Sequence, residues 1–128
     1  MTTNNKQTVL VIEDNEDNMV LITMLLKKSG YETLWAENGL TGVEMAKDAA
    51  PSFVLLDIQL PDIDGTEVLK RIRALDSDAA NVKVIAMTSY AMTGDREKLL
   101  AAGCDGYIEK PINPMLVIKQ IQAIVDKD

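Results

Sequence analysis

SFVLLD, at residues 52–57, is a short apolar run that ends abruptly in an acid. TVLVIE, at 8–13, has the same form and is followed at once by a second carboxylate, Asp14. Aliphatic, β-branched runs of this length read as strands covered on both faces. Working outward, residues 17–29 carry Val20, Leu21, Met24, Leu25 and Lys28 at helical spacing, and Gly30 stops them. Residues 32–36 (ETLWA) form a shorter strand, and Asn38-Gly39 a turn. A helix over 40–49 follows, with Leu40, Val43 and Ala46 on one face. Beyond Asp57, residues 58–64 form a loop held open by Pro61. The helix over 66–75 turns Val68, Leu69, Ile72 and Leu75 inward. Residues 82–88 (VKVIAMT) give a fourth strand, 94–102 a helix closed by Gly103, and 106–109 a fifth strand. Asn113 is an N-cap with Pro114 at the first helical position, and Val117, Ile121, Ile124 and Val125 mark one face of the last helix. Five strands thus alternate with five helices. Right-handed crossovers make this an α/β fold, a five-stranded parallel sheet with helices on both faces. Ligands of such sheets sit at the carboxyl ends of the strands.

The length, 128 residues, suits one domain spanning 1–128, with residues 1–7 as a polar N-terminal arm. A chain of this size buries about two-thirds of its unfolded surface, so it needs no staple. Apolar residues make up 47% and charged residues 26%, the balance of an ordinary soluble globule. The chain has no histidine, which excludes Ser-His-Asp and Cys-His catalysis and HExxH zinc sites. Its one cysteine, Cys104, excludes an internal disulfide or a CxxC pair and fits a reducing compartment. Cys104 reads as a packing residue, and Trp35 as a core or half-exposed filler beside the second strand. The seven methionines are expected mostly in the core, with Met1 and Met92 as exceptions. Thirteen basic against twenty acidic residues leave a net charge of −7, which disfavours nucleic acid. No apolar run reaches a membrane-spanning length, so no membrane insertion is expected. The start of the chain lacks the apolar core of a signal peptide, so the expected location is cytoplasmic.

Under this reading the first strand ends in Glu13-Asp14, the third in Asp57 and the fourth in Thr88, and Lys110 follows the fifth. All five lie at one sheet edge. Three clustered carboxylates repel one another unless a cation joins them or protons stay on. Hard oxygen ligands in a hydrated cleft favour Mg²⁺. A divalent cation with Lys110 would leave room for a phosphoryl group, and a carboxylate can accept one as an aspartyl-phosphate.

At these residues the chain resembles the receiver domain of bacterial two-component response regulators. The stretches that carry the likeness are VLVIEDNEDN, VLLDIQLPDIDG and VIAMTSYAMTGDREKLLAAGCDGYIEKPI. EDNEDN and AMTGDREK are most similar to single-domain, cell-cycle-type regulators and to receivers fused to hybrid kinases. The resemblance implies a flavodoxin-like strand order, 2-1-3-4-5. It implies that Asp57 is the phosphoacceptor and that Asp14, Asp57 and the backbone carbonyl of Gln59 hold Mg²⁺, with Glu13 acting through water. Lys110 would be the phosphoryl-binding cation, joined to Pro111 by a cis peptide. Thr88 would be the switch hydroxyl and Tyr107 the switch aromatic. Small Ser89 would keep Asp57 accessible, while Gln59 and Tyr90 would tune hydrolysis. A bulky Tyr90 is expected to give a longer-lived phosphoryl group than in fast chemotaxis receivers. The implied partner is a histidine kinase or histidine phosphotransfer protein, since the chain has no histidine of its own to serve as donor. A downstream protein would bind the face made by helix 4, strand 5 and helix 5. Such a protein catalyses its own phosphorylation and dephosphorylation and turns over no separate substrate.

Two other readings make different demands. A phosphate-independent, receiver-like binding module would not need Asp14, Asp57, Thr88 and Lys110, all of which are present. A Mg²⁺-dependent phosphatase would use Asp62 in the DxDGT of residues 62–66, but there the first Asp should directly follow a strand, and Leu60-Pro61 intervenes. The same segment lacks the first and twelfth acids of a calcium loop. EDNEDN is opposite in charge to a GxGxxG dinucleotide loop.

Overall fold

The computed structural model describes residues 7–89 and 93–126. Its strands are β1 (Thr8–Ile12), β2 (Glu32–Ala36), β3 (Phe53–Asp57), β4 (Lys83–Thr88) and β5 (Gly106–Glu109). Between and after them lie α1 (Glu16–Lys28), α2 (Gly39–Ala49), α3 (Gly65–Arg73), α4 (Thr93–Ala101) and α5 (Val117–Val125). A 3-10 turn over Asp78–Asn81, not anticipated from the sequence, leads into β4. All four strand pairings are parallel, and the order is β2-β1-β3-β4-β5.

Alternation of side chains along each strand divides the core into two layers. Val9, Val11, Phe53, Leu55, Ile85 and Met87 face one way, onto Met19, Ile22 and Leu26 of α1 and Val117 and Ile121 of α5. Leu10, Ile12, Val54, Leu56, Val84 and Ala86 face the other, onto Ala46, Val68, Leu69, Ile72 and Leu99. The central strand β3 is buried along its whole length, Asp57 included.

Helix starts follow local capping chemistry. Asn15, Asn38 and Asp64 accept N–H bonds from residues two or three positions on, closing the first turns of α1, α2 and α3. The expected start of the last helix is displaced: α5 begins at Val117, with Leu116 as its N-cap and no side-chain capping bond. Pro114 lies in the turn before it, which Asn113 closes by accepting the Met115 N–H on its Oδ1 and the Val117 N–H on its carbonyl. The Lys110–Pro111 peptide is cis.

Some side chains depart from expectation. On α1 the buried residues are Met19, Ile22 and Leu26, while Val20 and Met24 are exposed. Residues 19–26 are apolar at all but Thr23, so the pattern admits more than one phase; contact with the sheet selects it. Leu40 is exposed, because Gly39 and Gly42 bring that face of α2 against the core instead. Met24 and Met115 lie at the surface, unlike the other described methionines. Met1 and Met92 lie outside the described residues, as do positions 1–6 of the N-terminal arm. Cys104 is buried, and burial pushes its thiol up.

Candidate functional site

Strand register sets the site. Ile12 pairs Leu56, so the residues that follow β1 rise beside the end of β3. Asp57 pairs Met87, and Thr88 pairs Glu109, which brings Thr88 and Lys110 to the same edge. The Lys110 N–H donates to the Thr88 carbonyl at 2.9 Å, continuing the ladder to that lysine. Gly65 matters here: a Cβ at that position would lie 2.5 Å from the Ile58 Cα and 2.9 Å from the Asp57 carbonyl oxygen. Only a residue without one lets α3 start directly against the end of β3.

Glu13, Asp57 and Thr88 are the buried polar side chains among the described residues, while Asp14 is exposed. One carboxylate oxygen each from Glu13, Asp14 and Asp57 lie within 4.8 Å of one another. Lys110 Nζ sits 3.0 Å from Asp57 Oδ2 and 3.2 Å from Glu13 Oε1. The Gln59 N–H donates to Asp57 Oδ1 at 2.9 Å, and the Asn15 N–H donates to Glu13 Oε2 at 3.2 Å. One ammonium therefore pairs with two of the three clustered carboxylates. Burial pushes the Glu13 carboxyl up to about 7, helped by its hydrogen bond to Asp57 and by the Asp57 charge. The Asn15 N–H and Lys110 oppose that rise.

Glu13 Oε1 is within ion-pair distance of Lys110, yet no donor is aligned on it, and it is a buried acceptor without a hydrogen bond. A buried, unsatisfied carboxylate oxygen beside two further carboxylates is a place a hard cation would complete. The donor set therefore fits a divalent ion. It contains oxygens only, without the nitrogen or sulfur that zinc prefers.

Residues 9–122 match the response regulator receiver domain family. The chain belongs to that family. It is 41% identical to the polar-differentiation response regulator DivK of Brucella anthropi over 91% of this chain and 94% of that protein. Its fold is similar to the receiver domain of a sensor histidine kinase from Pseudomonas aeruginosa PAO1, solved with a magnesium ion coordinated in its active site cleft. That domain is 31% identical, with TM-score 0.85, over 95% of this chain and 99% of the other. The chemotaxis response regulator CheY4 of Vibrio cholerae, 23% identical, shares the fold with TM-score 0.88 over 94% of this chain and 99% of its own. The flavodoxin-like order 2-1-3-4-5 expected from the sequence is the order observed. The chain is a receiver domain of two-component signalling, similar to DivK regulators, with an acidic pocket compatible with Mg²⁺ and aspartate phosphorylation.

Gln59 is exposed, two residues past Asp57, and Tyr107 is half-buried on β5. Ser89 is exposed beyond Thr88, and Tyr90 lies outside the described residues. Asp62 stands apart from the cluster: its two oxygens accept the N–H groups of Gly39 and Leu40, at 2.8 and 2.9 Å. It thus holds the start of α2, and the strand before it ends five residues earlier, at Asp57. Sequence reasoning missed this cap. It also missed Trp35, whose indole N–H donates to the Glu13 carbonyl at 2.7 Å. The only sequence signal for that contact is an aromatic with a donor on a strand beside the acid pair.

Proposed function

We propose that this chain takes a phosphoryl group from a partner's phosphohistidine onto Asp57 with Mg²⁺ and so switches a protein-binding surface. The single observation that carries this is Asp57 itself: a buried carboxylate at a sheet edge, 3.0 Å from Lys110 Nζ and grouped with Glu13 and Asp14. Asp14, Asp57 and the Gln59 carbonyl would hold the ion, and Glu13 would reach it through water. When bound, Mg²⁺ offsets the charge of the transferring phosphoryl oxygens. An Asp57 oxygen forms the new P–O bond as the P–N bond to the partner's imidazole breaks and the imidazole keeps that electron pair. Lys110 meets a phosphoryl oxygen as charge builds up there. Thr88, buried at the end of β4, supplies a hydroxyl to another, and Tyr107 moves inward with it. The added charge of about −1.5 to −2 biases this two-state element.

The donor would be a histidine kinase or a histidine phosphotransfer protein in the cytoplasm. No described helix is long and apolar enough to cross a membrane. Output would pass to a protein that docks on α4, β5 and α5; Leu100 of α4 is exposed, as are Met115 and Leu116 in the turn before α5. Gln59 and Tyr90 would set the lifetime of the phosphoryl group. The whole chain would act as one receiver domain.

The test is incorporation of phosphate from acetyl phosphate. Mg²⁺-dependent, base-labile labelling approaching one phosphate per chain is expected, abolished by Asp57→Asn and by a chelator. Labelling that persists in Asp57→Asn would sink the assignment of the acceptor. No labelling from either acetyl phosphate or a phosphorylated histidine donor would favour a phosphate-independent binding module.

A further inference from the structure

Beyond Ile12, β1 still uses its neighbour on the sheet edge: the Glu13 N–H donates to the Ala36 carbonyl at 3.0 Å. The Glu13 carbonyl that follows is met by a side chain. Trp35 pairs Val11 in the β1–β2 register, and its indole reaches forward along the edge to donate Nε1–H to Glu13 O at 2.7 Å. An indole nitrogen is a donor only, so this short bond fixes both the ring and the peptide it binds. That peptide joins Glu13 to Asp14, two of the three acids of the cluster. Asn15, the next residue, is already committed: its side chain caps α1, its carbonyl accepts from Met19, and its N–H holds Glu13 Oε2. Asp14 is thus the one link between the end of the ladder and the capped helix, and the orientation of its preceding peptide rests on Trp35.

We infer that Trp35 is a positioning residue for the divalent cation: it ligates nothing, and it aims the Glu13 and Asp14 carboxylates by holding the peptide between them. This rests on the reading of the acidic cluster as a cation site. The other face of the ring gives a simpler alternative. Trp35 also walls a groove of about 630 Å³ between α1 and β2, with Val20, Thr23, Met24 and Thr33, and is 37% exposed there. If packing in that groove were its whole role, loss of the indole N–H would leave cation affinity alone.

The test compares Mg²⁺ binding by calorimetry in wild type, Trp35→Phe, Met24→Ala and Asp14→Asn, with thermal midpoints for each. Trp35→Phe keeps an aromatic ring and removes the donor. Loss of a group that orients a metal ligand costs about 10–100-fold in affinity, and the low end, about tenfold, is expected because the contact is to backbone. Met24→Ala thins the groove and should bind Mg²⁺ as wild type does. Trp35→Phe within about threefold of wild type overturns the inference, as does an equal loss in Met24→Ala. The single indole N–H resonance of the wild-type protein gives a readout that needs no variant to fold. It should shift during Mg²⁺ titration with the calorimetric affinity, and an unmoved resonance overturns the inference. Wild type binding no Mg²⁺ would instead remove the cation reading, and this inference with it. Binding that Asp14→Asn abolishes while Trp35→Phe retains it removes the inference alone.

Discussion

At the carboxyl end of the sheet, Glu13 and Asp57 share the ammonium of Lys110, Asp14 lies in the same acidic cluster, and a buried Glu13 oxygen has no hydrogen bond. At the amino ends of β4 and β5, the charge of Arg73 is fully used. Its guanidinium donates to the carbonyls of Ala80, Val82 and Gly103 and to the Asp105 carboxylate, at 2.6 to 3.1 Å. Asp105 in turn accepts the Val84 N–H at 2.8 Å. Both regions gather ionic groups at the edges of the same sheet, on opposite ends of its strands. In one, every donor has an acceptor, and the network ties α3, the 3-10 turn and the loop before β5 together. In the other, negative charge outnumbers its partners, which costs stability in the fold and leaves an oxygen-lined cluster that fits a cation. Activity and stability are divided between the two ends, consistent with the general opposition between them.

The sharpest way to break the contrast is Arg73→Ala. It strands three carbonyls and a carboxylate, and about 3 kcal/mol of stability should be lost, read as a lower urea midpoint with unchanged slope. Arg73→Lys should recover only part of this, since one ammonium cannot reproduce the fork. A loss under about 1 kcal/mol would mean that the network is ornamental.

Glu13→Gln should act in the opposite sense. Without divalent cation at pH 8, the variant should be more stable by about 1 kcal/mol, because one of three crowded charges is gone. The pH dependence follows from the same crowding. The folded carboxyl titrates at about 7 against a usual 4.5, so the folded state keeps a proton that the unfolded chain has released. Stability of the cation-free protein therefore falls as pH rises from 4.5 to 7 through this group. Thermal melts across that window should show the slope in wild type and lose it in Glu13→Gln. Saturating Mg²⁺ should flatten it in wild type.

The smallest effect belongs to Asp62. Slight burial pulls its carboxyl upward, but the N–H groups of Leu40 and Gly39 outweigh this and hold it below the usual carboxylate range. The stability it provides is present at neutral pH and is lost as pH falls through that lowered value. Asp62→Ala should cost about 1 kcal/mol, the worth of an N-cap, and leave phosphate uptake at Asp57 intact. Lost uptake with a sound fold would revive Asp62 as a participant in the chemistry.

Much of this was legible in the chain. Strands written as aliphatic runs ending in acid gave the sheet, because burial on both faces leaves few other patterns. The cluster of Glu13, Asp14, Asp57, Thr88 and Lys110 followed, since parallel strands share one carboxyl edge. The buried face of α1 was not legible, as its apolar residues are too many to show a stripe. Nor were Arg73, Asp62 and Trp35, whose partners lie 7 to 32 residues away. A side chain that bonds across the fold carries no local signature.

The Asp62 cap also has a kinetic side. The first amides of a helix have no partner within it and exchange readily with solvent. Here Gly39 and Leu40 are held by a carboxylate from the loop that follows Asp57. Their exchange with deuterium is therefore a clock for that loop: each time it lifts from α2, two amides 22 and 23 residues upstream of Asp62 become open to solvent.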